Sequence, residues 1–178
     1  IYTSAVLKAQ VGMGPSGLGA IYAIDVDGVN PPSLLTTIPN VGTIGSDIDR
    51  NLGDFNDRAF DSTAVQVIGT VGLGDMEISE DFASLYVTNL NQKTIEQVDV
   101  ATGTVIQSIT IPDPGCTGGD FQPWALKLDG EKLYVGGVCN AITSQDRNDM
   151  TAVVYQMNLS NNQFSGPVLD FSLDYDRD

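Results

Sequence analysis

Residues 46–57, Ser-Asp-Ile-Asp-Arg-Asn-Leu-Gly-Asp-Phe-Asn-Asp, crowd six Asp and Asn side chains into one stretch: Asp47, Asp49, Asn51, Asp54, Asn56 and Asp57. Asp and Asn alternating along a loop can turn several oxygens inward around a hard cation such as Ca²⁺. The stretch is not an EF-hand loop, because Leu52 stands at the sixth place, where Gly belongs, and Arg58 at the twelfth, where Glu belongs. Arg50 and Arg58 offer a second chemistry, in which guanidinium groups neutralise the carboxylates pairwise. Both readings stay open on the residues: a calcium loop, or a solvated or arginine-paired one.

Other chemistry is sparse. The chain contains no His, which removes the commonest general base and the main transition-metal ligand. Asp75, Glu77, Glu80 and Asp81 lie close in sequence. Two of them could form a carboxylate pair for glycoside chemistry, although strand edges and turns account for them more simply. Gly12, Gly14 and Gly17 repeat the spacing of a dinucleotide-binding loop, but no helix pattern follows, so a loop folding close to a sheet face is expected instead. Trp124 either stacks on a sugar or, as the more ordinary outcome, packs in a core. Asn158-Leu159-Ser160 is a formal N-glycosylation signal. No catalytic residue emerges.

The two cysteines, Cys116 and Cys139, each lie beside a β run. In an extracellular protein they would pair; the alternative is two buried thiols. Charge points the same way. Eight basic against 23 acidic residues give a net charge of −15, which disfavours nucleic-acid binding and favours cations and solubility. No run of 18 apolar residues is present, so direct membrane insertion is not expected.

The elements that would position these residues repeat. Ile1-Tyr2, Leu85-Tyr86 and Leu133-Tyr134 each open a β run. Each is followed by a second alternating run, from Ala20, Thr94 and Ala152. A turn comes next, at Asp27-Gly28, Thr102-Gly103 or Asn161-Asn162, and then a third run. Two copies have a preceding strand, in "GDMEISED" and "QPWALKLDG". The unit is therefore four antiparallel strands, and such units recurring every ~40–50 residues predict an all-β fold, a β-propeller of four-stranded blades. Blade 1 spans 1–40, a polar insertion 41–72, blade 2 spans 73–112 and blade 3 spans 120–174. Three blades do not close a ring, and Ile1 already falls in a strand. The natural start is therefore expected upstream and the rest of the propeller elsewhere in a longer polypeptide.

The segments "IYTSAVLKAQVGMGPSGLGAIYAID", "VGLGDMEISEDFASLYVTNL", "IPDPGCTGGDFQPWALKLDGEKLYVGGVC" and "LDYDRD" resemble the N-terminal propeller of large bacterial cell-surface proteins. Many of these come from Bacteroidetes and cyanobacteria, often with SdrD B-like repeats downstream. Likeness to YVTN-type propellers is weaker and centres on residues 75–112. The resemblance implies secretion to a bacterial cell surface and a role in adhesion, the envelope or gliding motility. Its partners would be other domains of the same polypeptide, neighbouring surface proteins, or glycans. The expected function is a non-enzymatic scaffold or recognition platform, with Ca²⁺ the only cofactor in view. Two alternatives stand beside it: a propeller enzyme whose catalytic residues lie in other blades, and a structural subunit of a surface filament.

Overall fold

The computed structural model describes residues 1–8, 11–50, 52 and 61–175. It is all-β with little helix. Among the described residues, eleven strands form three antiparallel sheets, in each of which neighbours in sequence are neighbours in space. The first sheet holds β1 (Tyr2–Ser4), β2 (Ala20–Ala23) and β3 (Ser33–Thr37). The second holds β4 (Leu73–Ile78), β5 (Ser84–Asn89), β6 (Thr94–Asp99) and β7 (Val105–Thr110). The third holds β8 (Phe121–Asp129), β9 (Lys132–Cys139), β10 (Thr151–Asn158) and β11 (Gln163–Ser172).

Short-range chemistry makes the hairpins. Between β4 and β5, Asp81 Oδ1 accepts from Ser79 Oγ at 2.6 Å and from the Ala83 N–H at 3.0 Å. Between β6 and β7, Asp99 Oδ1 accepts from both the N–H and the hydroxyl of Thr102 at 2.7 Å, and Gly103 takes the left-handed φ of 70° that closes the turn. These local bonds fix register, and register decides which face each side chain occupies.

The second and third sheets repeat one another row by row. Leu85, Val98 and Val105 stand opposite one another across the second sheet, as Leu133, Met157 and Phe164 do across the third. On the other face, Thr88, Ile95 and Ile109 correspond to Gly136, Val154 and Leu169. The β4–β5 and β8–β9 hairpins slip register at the same place, between Leu73 and Met76 and between Pro123 and Ala125. One apolar cluster joins the first sheet to the second through Ile21, Ile38, Leu73, Leu85 and Val87. A second joins the second sheet to the third through Tyr86, Ile95, Ile109, Leu133 and Val135. The second and third sheets thus each hide one alternating face against the sheet before.

The insertion is not wholly the polar loop expected. It contains α1 (Ser62–Val67), with Ala64 fully buried, and Val41, Ile44 and Val71 join the first cluster. Six residues are too few to show a helical period in sequence.

Candidate functional site

In the acidic insertion, only Asp47 and Asp49 of the six candidate ligands are described. Asn51, Asp54, Asn56 and Asp57 lie outside the described residues. Asp49 Oδ2 accepts from the Ser46 hydroxyl at 2.7 Å and its N–H at 3.0 Å, and these two bonds hold the carboxyl below its usual range. Asp47 Oδ1 lies 3.6 Å from Arg50 Nη1. Arg50 itself is buried, with Nη2 2.6 Å and Nε 3.2 Å from Asp61 Oδ2, and it also donates to the Lys8 carbonyl at 3.2 Å. Asp61 Oδ1 accepts from the Ala64 N–H at 3.0 Å and so caps α1. The arginine-paired chemistry is therefore present here, with Asp61 as its main acid. Asp61 lies outside the run of candidate ligands, and its one local signal is its place ahead of Ser-Thr-Ala, where an Asp caps a helix. Among the described residues, no group of three or more acidic or cysteine side chains is placed to hold a metal ion.

The carboxylate pair of β4 belongs to the packing of the second sheet on the third. Asp75 Oδ2 accepts from the Leu126 N–H at 3.0 Å, and Glu77 Oε1 lies 2.9 Å from Lys127 Nζ. Beside them a Cβ built on Gly74 would fall 2.9 Å from the Trp124 carbonyl oxygen, so only glycine lets the two strands approach this closely. Glu96 is also buried in the second sheet, where Oε1 accepts from Thr94 Oγ1 at 2.5 Å, Ser108 Oγ at 3.1 Å and Asn89 Nδ2 at 3.4 Å. These neutral donors satisfy it internally.

Cys116 and Cys139 form a disulfide, with Cα atoms 5.4 Å apart. The bond ties the link after β7 to the end of β9. Beside it, Asn140 Oδ1 accepts from the N–H groups of Asp120 and Ile142, both at 3.1 Å. Gly119 lies so close to Asn140 that a Cβ there would overlap its oxygen. The Gly12–Gly17 stretch is followed by β2 and no helix, and a Cβ at Gly12 would lie 2.6 Å from Asp47 Oδ2. This glycine loop therefore packs on the acidic insertion.

Trp124 differs from the core-packing expectation. It is 39% exposed, on the face of the third sheet turned away from the second. It borders a shallow apolar groove of about 400 Å³ lined also by Gly136, Val138, Ala152, Val154 and Leu169. The register slip at Pro123 re-aims this strand, and the sequence carries no sign of it. On the opposite side of the same sheet, burial raises the Tyr155 hydroxyl above its ordinary range, as it does that of Tyr86 in the second sheet.

No protein-family model matches the chain. It is 29% identical over 172 residues to Colossin-D of Dictyostelium discoideum, an alignment covering 96% of the chain and 18% of that protein. Colossin-A of the same organism is 30% identical over 188 aligned positions, covering 99% of the chain and 2% of that protein. Colossin-B is 26% identical over 106 residues, covering 58% of the chain and 3% of the relative. The chain thus spans less than a fifth of the length of these curated relatives. They come from a eukaryote, and the resemblance to bacterial cell-surface proteins is corrected on that finding. Alternating strands and Asp- or Gly-bearing turns are what any repeated antiparallel sheet requires, so those motifs carry architecture and not lineage.

Proposed function

We propose that this chain is an arc of a β-propeller and serves as a non-enzymatic extracellular module. In this reading it is a scaffold or recognition platform for other domains of a long polypeptide, for neighbouring proteins or for glycans. The observation that carries the reading is the row-for-row correspondence of the second and third sheets, each laying an aliphatic rear face on its predecessor. The disulfide supports an oxidising compartment. The small share of each relative that the chain spans supports a module within a longer protein. The carboxylates of β4 hold the next sheet through the Leu126 N–H and Lys127, which supports packing over acid–base work. The test is a glycan array and partner capture with the full-length product, beside an activity screen. Selective binding without turnover is expected. Robust turnover of a small substrate with no partner bound would overturn the reading.

A further inference from the structure

The outward face of the third sheet repeats a face that, one sheet earlier, is covered. In the second sheet Ile109 and Ile111 are 7% and 4% exposed, because the third sheet lies over them. Their counterparts by register, Leu169 and Phe171, are 49% and 46% exposed. Tyr86 and its cross-strand neighbour Gln97 recur as Tyr134 and Gln156, and Tyr134 donates to Gln156 at 3.4 Å.

We propose that this outward face is the docking site of a fourth four-stranded antiparallel sheet carried by the same polypeptide. The proposal rests on the propeller reading and names what that reading requires here. The surface is broad and apolar, with side chains in rows spaced as a strand spaces them, which suits the face of another sheet. Its chemistry follows from the two interfaces already formed. Leu85 and Val87 enter the first interface, and Leu133 and Val135 enter the second from the same positions. The incoming sheet therefore presents an aliphatic pair two residues apart on its second strand.

One position is altered. Trp124 stands where the second sheet has Gly74, and Gly136 stands where it has Thr88. Here the indole occupies the place where two backbones otherwise meet. The fourth sheet must offer a small residue opposite Trp124. A second copy of the chain fits less well, since each copy brings a charge of −15 and like charges oppose association. The relatives, several times longer or more, have ample chain to supply the sheet.

Hydroxyl-radical footprinting read residue by residue tests this, on the 178-residue chain and on the full-length product. In the full-length product, labelling of Leu169 should fall about sevenfold, the ratio of its 49% exposure to the 7% of Ile109, with Trp124 and Phe171 falling alongside. Val154→Asp should restore labelling of Leu169, and Leu169→Glu that of Trp124 and Phe171. Equal labelling of both proteins would overturn the proposal. So would protection in the short chain that grows with its concentration, because a second copy would then be the occupant. Tyr86 separates the two levels of the argument. If it stays protected throughout, only the docking proposal fails; if it labels freely, the sheets do not stack and the propeller reading falls with it.

Discussion

Between the second and third sheets, Ile95, Ile109, Leu133 and Met157 leave water by meeting other apolar groups, whereas the insertion between the first and second sheets also buries a charged pair, Arg50 and Asp61, beside its apolar residues. The two regions bury side chains to a similar degree by unlike means. An apolar row loses stability in proportion to what is removed from it. A buried ion pair is indifferent to its own net worth but intolerant of losing one partner, because the other is left charged and dry.

The largest expected effects break this comparison directly. Arg50→Met should destabilise the fold by about 3–5 kcal/mol, since the buried Asp61 carboxylate would lose both guanidinium hydrogen bonds, from Nε at 3.2 Å and Nη2 at 2.6 Å. Met157→Ala, deep in the second cluster, should cost about 2–5 kcal/mol through lost contact and the cavity left behind. The second change sets the difference in kind. Arg50→Met combined with Asp61→Asn removes both charges while an amide oxygen still caps α1, and should recover most of the single variant's loss. No second substitution of that kind rescues Met157→Ala. Urea unfolding followed by circular dichroism measures all three. A double variant no more stable than Arg50→Met would show that the pair is favourable in itself.

A smaller effect sharpens the apolar side. The disulfide closes a loop of 23 residues by sequence separation, and removing it through Cys116→Ser with Cys139→Ser should cost about 3 kcal/mol, mainly by freeing the unfolded chain. The loss should appear as a lowered unfolding midpoint, with protection of Leu133 and Val135 unchanged in the native state. The unreduced, unfolded parent should show no titratable thiol; two free thiols would contradict the bond.

This contrast also marks what could be read in advance. The tyrosine-bearing strands at Tyr2, Tyr86 and Tyr134 declare themselves, because a two-residue alternation is written into the residues that form it. Asp81, Gly103 and Gly130 announce their turns for the same reason: the bonds and backbone angles involved are local. The Cys116–Cys139 pairing was legible from two cysteines on adjoining β runs. The Arg50–Asp61 pair was not, since it spans 11 positions and depends on how the insertion folds back on Lys8. Nor was the placement of Trp124, which a register slip turns outward. Both depend on three-dimensional closure, which no local pattern encodes. Lineage was misjudged for the complementary reason, that alternation and turns recur wherever such sheets do.

The smallest expected effect concerns these legible turns. Asp99 is partly exposed, and its carboxyl lies below the ordinary value of 3.8, first because the Thr102 hydroxyl donates to it and second because the Thr102 N–H does. Asp25, Asp49 and Asp81 are lowered in the same direction by their own short-range donors, Asp27 N–H, the Ser46 hydroxyl and the Ser79 hydroxyl being the leading ones. A carboxyl whose value is depressed on folding binds a proton less readily when native than when unfolded. Its contribution is therefore complete above the unfolded value and disappears as pH falls through the native one. Asp99→Asn removes that contribution while leaving the turn an acceptor. The stability gap between parent and variant should be constant near neutrality, begin to close around pH 4, and vanish in stronger acid. Matched unfolding curves across that range cancel the titration of the acidic groups that both proteins share. A gap that held steady or widened below pH 3 would mean that Asp99 works through its shape and hydrogen-bond count alone. The turns would then join the apolar sheets, and not the ion pair, as parts of the molecule indifferent to charge.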